Sequence, residues 1–281
     1  MNTTQTTPNT DHPPSLETLA LTINDKVLEV ALNRPDKSNA MNLTLWREIQ
    51  TAFEWADACE AIRVVLLHGH GKNFCGGLDL AMIGDFHNHG EDPARTAEHF
   101  RRHILSLQDN LSAIEKCRKP VLAAVHGAVV GGAIDMITCC DMRYAAEGAR
   151  FSVFEVDVAM VADVGTLQRL PRLIPEGVAR ELALTGRFFE SQEAREMGLV
   201  NRVFDSHTAL LEGVRELAAQ IAKKTPLVTR GIKEVMNFSR DHSVQDGLNF
   251  VATWNAGMMS QVDLKEVMRA KAEGRTPIYE D

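Results

Sequence analysis

Along the chain, short β-branched runs alternate with stretches whose apolar residues recur every three to four positions. Residues 19–33, LALTINDKVLEVALN, read as two strands joined at Asn24-Asp25, a turn-forming pair between alternating apolar positions. LTLWREIQTAFEWADAC (43–59) has helical period, and AIRVVLLHGHG (61–71) is the continuous apolar run of a buried strand. After a polar stretch near residue 90 the order repeats: a helix in AEHFRRHILSLQDNLSAIEKC, a buried strand in KPVLAAVHG and a helix opened by two glycines in GGAIDMITCCD. DMRYAAEGARFSVFEV continues with strand-like segments. Strand-then-helix alternation predicts an α/β core whose helices cover the sheet faces.

From Pro171 onward the pattern is helical almost throughout, broken by the short strand LVNRVF at 199–204. TPLVTRGIKEVMNFSR, SVQDGLNFVATWNAGMM and DLKEVMRAKAEG predict a helical appendage docked on its own domain or on a neighbouring subunit, with Phe250 and Trp254 on the face turned to that neighbour. Residues 1–15, MNTTQTTPNTDHPPS, are polar and without periodicity, which predicts a disordered arm. The expected organisation is therefore an arm over 1–15, a core over 16–205 and a helical C-terminal region over 206–281.

Composition narrows the function classes. The 281 residues, 44% hydrophobic and 24% charged, suit one large soluble domain or two small ones. A formal charge of −8 without a long Lys/Arg run argues against a nucleic-acid partner, so a phosphate-bearing ligand needs a local basic patch. Cys59, Cys75, Cys117, Cys139 and Cys140 lack metal or redox spacing and read as reduced, buried thiols. No apolar stretch is long enough to span a bilayer, so no membrane partner is expected. No signal peptide, transit-like start or S-K-L ending is seen, and a cytoplasmic location is the expectation. His87 and His89 read as parts of a solvated loop, and no metal site is expected.

The chemistry concentrates in three places. FSVFEVDVAMVAD (151–163) holds Glu155, Asp157 and Asp163 in an otherwise apolar stretch, and buried carboxylates are costly unless paired, protonated or used. In NFCGGLDL (73–80), Gly76 and Gly77 let backbone N–H groups approach a ligand, with the Leu78 amide able to face a site. In HGAVVGGAIDM (126–136) a strand ends and Gly131-Gly132 begins a helix, which makes the Gly132 amide a natural oxyanion donor. Asp135, one turn further, faces either the same cavity or a structural partner such as Arg143. There is no nucleophile motif of the G-x-S-x-G kind. Carboxylates plus backbone amides suit proton transfer beside a carbonyl, the amides holding an enolate oxygen while an acid moves the α-proton.

NRPDKSNAMN, NFCGGLDL, HGAVVGGAIDM and FSVFEVDVAMVADVGTLQRLPRLI, in this order, resemble the crotonase (enoyl-CoA hydratase/isomerase) superfamily from about residue 17 to the end of the chain. The resemblance implies an α/β spiral of ββα units (ClpP-like) with a helical C-terminal region, a homotrimer or homohexamer, and a coenzyme A thioester as substrate. No separate cofactor is implied. Leu78 and Gly132 match the family's oxyanion-hole amides, while Gly76, Gly77, Asp79 and Leu80 lie in the matching substrate loop. Arg34, Lys37 and Ala40 fall near its CoA-binding loop. Asp135 and Glu155, twenty residues apart, occupy positions where hydratases of the family carry glutamates. The aspartate at 135 and the further acid Asp163 depart from hydratases and resemble the branch that isomerises 3,5-dienoyl-CoA to 2,4-dienoyl-CoA in fatty-acid β-oxidation. On that resemblance Asp135, Glu155 and Asp163 are the catalytic residues, with Glu155 and Asp163 projecting into one pocket and Asp157 structural. The alternative is a 2-enoyl-CoA hydratase or another crotonase-type lyase using Asp135 and Glu155 around a water.

Overall fold

A computed structural model describes residues 12–82 and 92–281. The expectations of a disordered arm, for residues 1–11, and of a solvated loop around His87 and His89 lie outside the described residues.

The chain enters through a hairpin, β1 (Leu19–Asn24) antiparallel to β2 (Val27–Leu32). Its turn is Asp25-Lys26, one residue later than expected, with both residues left-handed at φ 43° and 69°, as a tight two-residue connection between right-twisting strands requires. Parallel strands β3 (Val64–Gly69), β4 (Val121–Val125), β6 (Met142–Ala146) and β9 (Arg202–Phe204) complete a six-stranded sheet of order β1-β2-β3-β4-β6-β9. A smaller sheet of order β5-β7-β8 forms from β5 (Ala128–Val130), β7 (Arg150–Ser152) and β8 (Phe189–Glu190). Because β5 follows β4 and β7 follows β6 almost at once, successive turns of the chain add a strand to each sheet, which is the spiral.

Burial of both faces explains the unbroken apolar runs in β3 and β4. Val65, Leu67, Val121, Ala123 and Val125 face one core with α1 (Leu43–Ala58), α2 (Pro93–Lys116) and α3 (Gly132–Thr138). Val64, Leu66, Leu122 and Ala124 face the other, closed by Leu210, Val214 and Ala218 at four-residue spacing on α7 (His207–Ala222). In chain order, α4 (Thr166–Arg169), α5 (Glu176–Thr185) and α6 (Ser191–Glu196) come between β7 and α7. After α7 come α8 (Pro226–Arg240), α9 (Val244–Met258) and α10 (Gln261–Glu273). All five cysteines are buried free thiols. Among the described residues no helix is long and apolar enough to cross a membrane.

Three local expectations change. The strand-like segment expected to run to Val156 stops at Ser152; Phe154–Val158 is a 3-10 turn closed by Ala159 in the left-handed region at φ 58°. Glu155 and Asp157 therefore do not alternate across a strand, and Asp157 lies exposed against Gly186. The two-residue β8 was not expected, because two residues carry no period. Phe250 and Trp254 turn inward: Phe250 stacks on Phe238 of α8 at 4.3 Å, and Trp254 packs under Gly231, where an added Cβ would come within 2.4 Å of its ring nitrogen.

Candidate active site

The loop at residues 73–80 is held in place by amide side chains. Asn39 is fully buried, and its Nδ2 donates to the carbonyls of His70, Asn73 and Phe74 at 2.9, 2.9 and 3.0 Å, while its Oδ1 accepts the Arg34 amide at 2.8 Å. Asn73 Oδ1 accepts the Ala128 amide at 2.9 Å, joining the same loop to β5. Beyond it, the Met41 amide donates to the Gly77 carbonyl at 2.8 Å and the Asp79 amide to the Met41 carbonyl at 3.1 Å. In this parallel bridge the Leu78 amide points to the opposite side, away from Met41.

On the facing loop, the Gly131 amide donates to the Ser152 carbonyl at 2.9 Å, and Gly132 begins α3. The first N–H groups of a helix have no partner inside it. Neither Leu78 nor Gly132 donates its amide to another group among the described residues. The loops touch: Gly77 has φ +92°, and a Cβ there would lie 2.8 Å from the Val130 carbonyl oxygen, so only glycine permits the approach. A Cβ on Gly131 would sit 3.4 Å from Glu155 Oε1, which places that carboxylate beside the helix start.

Asp135 is fully buried in the first turn of α3, its Oδ1 accepting the Thr166 amide at 2.6 Å. Asp135 Oδ2 and Glu155 Oε2 are buried with no hydrogen-bond partner among the described residues. Burial drives both carboxyls above the ordinary range; for Glu155 the neighbouring Asp135 charge adds to it, and for Asp135 the Thr166 contacts oppose it. The two titrate as a pair rather than singly. Asp163 keeps an exposed face yet is half enclosed by protein, and that enclosure raises its carboxyl too. Its charge is felt at both Asp135 and Glu155.

The structure differs from expectation in how the acids open to space. Glu155 lines a cavity of about 580 Å³ with Met160, Val161, Leu167 and Leu184, whereas Asp163 lines an adjacent one of about 370 Å³ with Gln108 and Ser112. Gln168 and Arg172 line both, and the buried Ala162 and Thr166 flank Asp163 and Gly165 in the intervening segment. Arg143, a candidate partner for Asp135, instead gives its guanidinium to the carbonyls of Leu199, Ile137 and Cys140.

The basic patch is also partly reassigned. Arg34 Nη1 donates to the Ala40 carbonyl and to Asp79 Oδ2, the latter at 3.0 Å, which holds the Asp79 carboxyl below its usual range. Arg34, Ala40 and Asp79 thus knit the two loops together, leaving Lys37 exposed at the end of a short 3-10 turn. Leu80 is exposed and Gly76 packs beside Ser38. Asn39, Asn73 and Thr166 were not singled out in the sequence. Asn39 carried one usable signal, since asparagine tolerates the left-handed backbone it adopts at φ 53°, but nothing local marks Thr166.

Residues 22–281 match the enoyl-CoA hydratase/isomerase family. The chain belongs to that family. Its sequence is 44% identical over 268 residues to the peroxisomal Delta(3,5)-Delta(2,4)-dienoyl-CoA isomerase of Arabidopsis thaliana, covering 94% of this chain and 96% of the relative. It is likewise 44% identical to the mitochondrial Delta(3,5)-Delta(2,4)-dienoyl-CoA isomerase of Homo sapiens, covering 94% of this chain and 81% of the relative. Among solved structures, an enoyl-CoA hydratase from Bacillus anthracis superposes with a TM-score of 0.85 at 32% identity, covering 94% of this chain and 99% of that one. The crotonase-type fold expected from the motifs is therefore the fold observed. The cytoplasmic expectation is corrected: these isomerase relatives are named peroxisomal or mitochondrial. Targeting signals are addresses read by receptors, separate from the packed domain.

Proposed function

We propose that this member of the enoyl-CoA hydratase/isomerase family converts 3,5-dienoyl-CoA thioesters to their 2,4-dienoyl isomers. The observation that carries this reading is the third acid: Asp163 stands within electrostatic reach of the buried Asp135/Glu155 pair, next to a helix start with a free amide. A hydratase needs acids around one water, whereas a shift across a conjugated system needs a proton acceptor at one end and a donor at the other.

In the proposed reaction the thioester carbonyl accepts hydrogen bonds from the Leu78 and Gly132 amides. Glu155 takes a proton from C2, and the C2–H electron pair flows into an extended dienolate whose negative oxygen rests on the two amides. Asp163 then gives a proton to C6, and the double bonds settle at C2 and C4. Atoms balance, since one proton leaves the chain of carbons and one arrives. Glu155 ends protonated and Asp163 ionised, and both return by exchange with water. Asp135 acts on Glu155 through its charge, which adds to burial in raising the affinity of Glu155 for the proton it takes from C2. The raised acidities suit this work, because a base and an acid serve best when their pKa values lie near the working pH.

For the rest of the substrate, exposed Lys37 is the basic group offered to the nucleotide phosphates, while Gly76, Gly77, Asp79, Leu80 and Ala40 form the wall around the thioester. Arg34 acts by shaping that wall. No metal or cofactor has a step. We further propose that the helical C-terminal region assembles the chain into a homotrimer or a dimer of trimers.

The test follows the two ends of the dienolate. Asp163→Asn keeps shape and polarity, so it should still exchange the C2 hydrogen of a 3,5-dienoyl-CoA with deuterated solvent while forming the 2,4-isomer at least about a hundredfold more slowly. Glu155→Gln should abolish both. Native-rate isomerisation by Asp163→Asn, or a native enzyme that only hydrates 2-enoyl esters, overturns the reading.

A further inference from the structure

The distal acid is carried on a turn that must be held from outside. Asp163 has no helix or strand of its own; it lies between the 3-10 turn ending at Val158 and α4, which begins at Thr166. The far end of this turn is fixed twice. Gly165, at φ +133°, fits over the Arg169 guanidinium so closely that an added Cβ would lie 1.9 Å from Nη1. Thr166 is fully buried with its amide on Asp135. At Asp163 itself the turn is held from α2: Gln108, in the C-terminal half of that helix, donates from Nε2 to the Asp163 carbonyl at 2.6 Å. Gln108 and Asp163 also line the same cavity, with Ser112 one helical turn further along.

We propose that Gln108 is a positioning residue for the distal proton donor, one that sets the reach of Asp163 toward C6 without acting on Glu155. This rests on the dienoyl isomerase reading. The Asp163 carbonyl carbon is bonded to the Cα that carries the side chain, so a bond at the carbonyl restrains the point from which its carboxyl leaves the backbone. The proximal half of the site is anchored independently, by the Ser152–Gly131 bond and the Thr166–Asp135 bond, and does not pass through Gln108. Loss of the α2 anchor should therefore separate the two proton transfers. A residue that merely steadied the fold would lower both together.

The experiment compares the native enzyme with Gln108→Met, which keeps length and helix preference but has no donor, and with Gln108→Lys, which restores one at similar reach. Each is given a 3,5-dienoyl-CoA in deuterated water, and C2 exchange and 2,4-isomer formation are measured in the same sample. Gln108→Met should form isomer about ten- to a hundredfold more slowly, the scale of an ångström-sized misplacement, with C2 exchange within about twofold of native. Gln108→Lys should recover most of the lost isomerisation. Equal losses of exchange and isomerisation in Gln108→Met, or no loss of either, overturn the positioning role while native isomerisation upholds the enzyme's proposed function. A native enzyme that does not isomerise the dienoyl ester overturns the function itself, and the positioning role with it.

Discussion

At Glu155 stability and function pull in opposite directions. Its carboxyl is raised by burial and by Asp135, so over the interval between the ordinary glutamate value, about 4.3, and the raised one, the folded chain binds more protons than the unfolded chain. Unfolding free energy then falls as pH rises through that interval and levels off above it. Glu155→Gln removes the penalty, and melting temperatures taken across pH should show the variant gaining on the native protein from acid to neutral pH and beyond. The same shift places the acid limb of the kcat/KM profile above the ordinary carboxylate range. Asp135→Asn, which removes the neighbouring charge, should move that limb to lower pH, and an unmoved limb would mean that Glu155 is not the group being titrated. At Gly77 the constraint is steric: Gly77→Ala meets the Val130 carbonyl oxygen at 2.8 Å in a left-handed backbone, so turnover should fall by about two orders of magnitude as the Leu78 amide is displaced. Gly132→Ala comes tightly only against Met41 Sδ at 3.1 Å, part of a flexible side chain, with the Trp46 ring at ordinary contact distance, and steady-state assays should find it the milder of the two.

Between elements, the floor under the distal acid is a charge cluster. Glu115 on α2 accepts Arg169 of α4 at 3.0 Å and also pairs with Arg240 at the end of α8. Arg169 in turn supports Gly165 and donates to Ser112 Oγ at 3.3 Å. Three helices thus meet on one carboxylate, whose pairs outweigh its burial and hold its pKa below the usual range. Removing it leaves Arg169, 15% exposed, with Ser112 Oγ as its remaining side-chain hydrogen-bond partner among the described residues. Glu115→Ala should cost about 2 kcal/mol in a denaturant titration, less than the roughly 3–5 kcal/mol for breaking a fully buried pair, because both partners keep some water contact. Its effect on isomerisation should exceed that of breaking an exposed helical pair such as Arg102–Glu98, since only the first lies beneath the Asp163 turn.

Across the whole molecule, the C-terminal helices leave apolar surface uncovered. Val228, Ile232 and Met236 of α8, Val244 and Leu248 of α9, and Val262 and Met268 of α10 are all exposed, although Phe250 and Trp254 are turned inward. A groove of about 480 Å³ runs between these helices, lined by Val228, Ile232, Met236, Met258 and Val267. Apolar surface of this extent is best satisfied by further copies of the chain, in keeping with the proposed trimer. Sedimentation equilibrium at micromolar concentration should give three or six times the 31.1 kDa chain mass, and Ile232→Glu should lower it. A native monomer would remove the assembly proposal and leave the fold untouched.

What the sequence determined by itself was whatever depends on neighbours a few residues away. Period-two and continuous apolar runs marked the strands of the larger sheet, three-to-four spacing marked α1, α2 and the C-terminal helices, and glycine pairs marked the two loops that expose amides. The order of acids at 135, 155 and 163, set against the glycines, was enough to suggest proton transfer beside a carbonyl. Tertiary structure decided the rest, because the field at a carboxylate comes from groups remote in the chain. Thr166, thirty-one residues on, is what holds Asp135, and Gln108 reaches Asp163 from fifty-five residues before it. Arg34 could be read as a phosphate ligand until Asp79 and the Ala40 carbonyl occupied it. Local period likewise could not distinguish the 3-10 turn at Glu155 from a strand. Five residues hold too little of either repeat, and packing against the Gly131 turn chose between them.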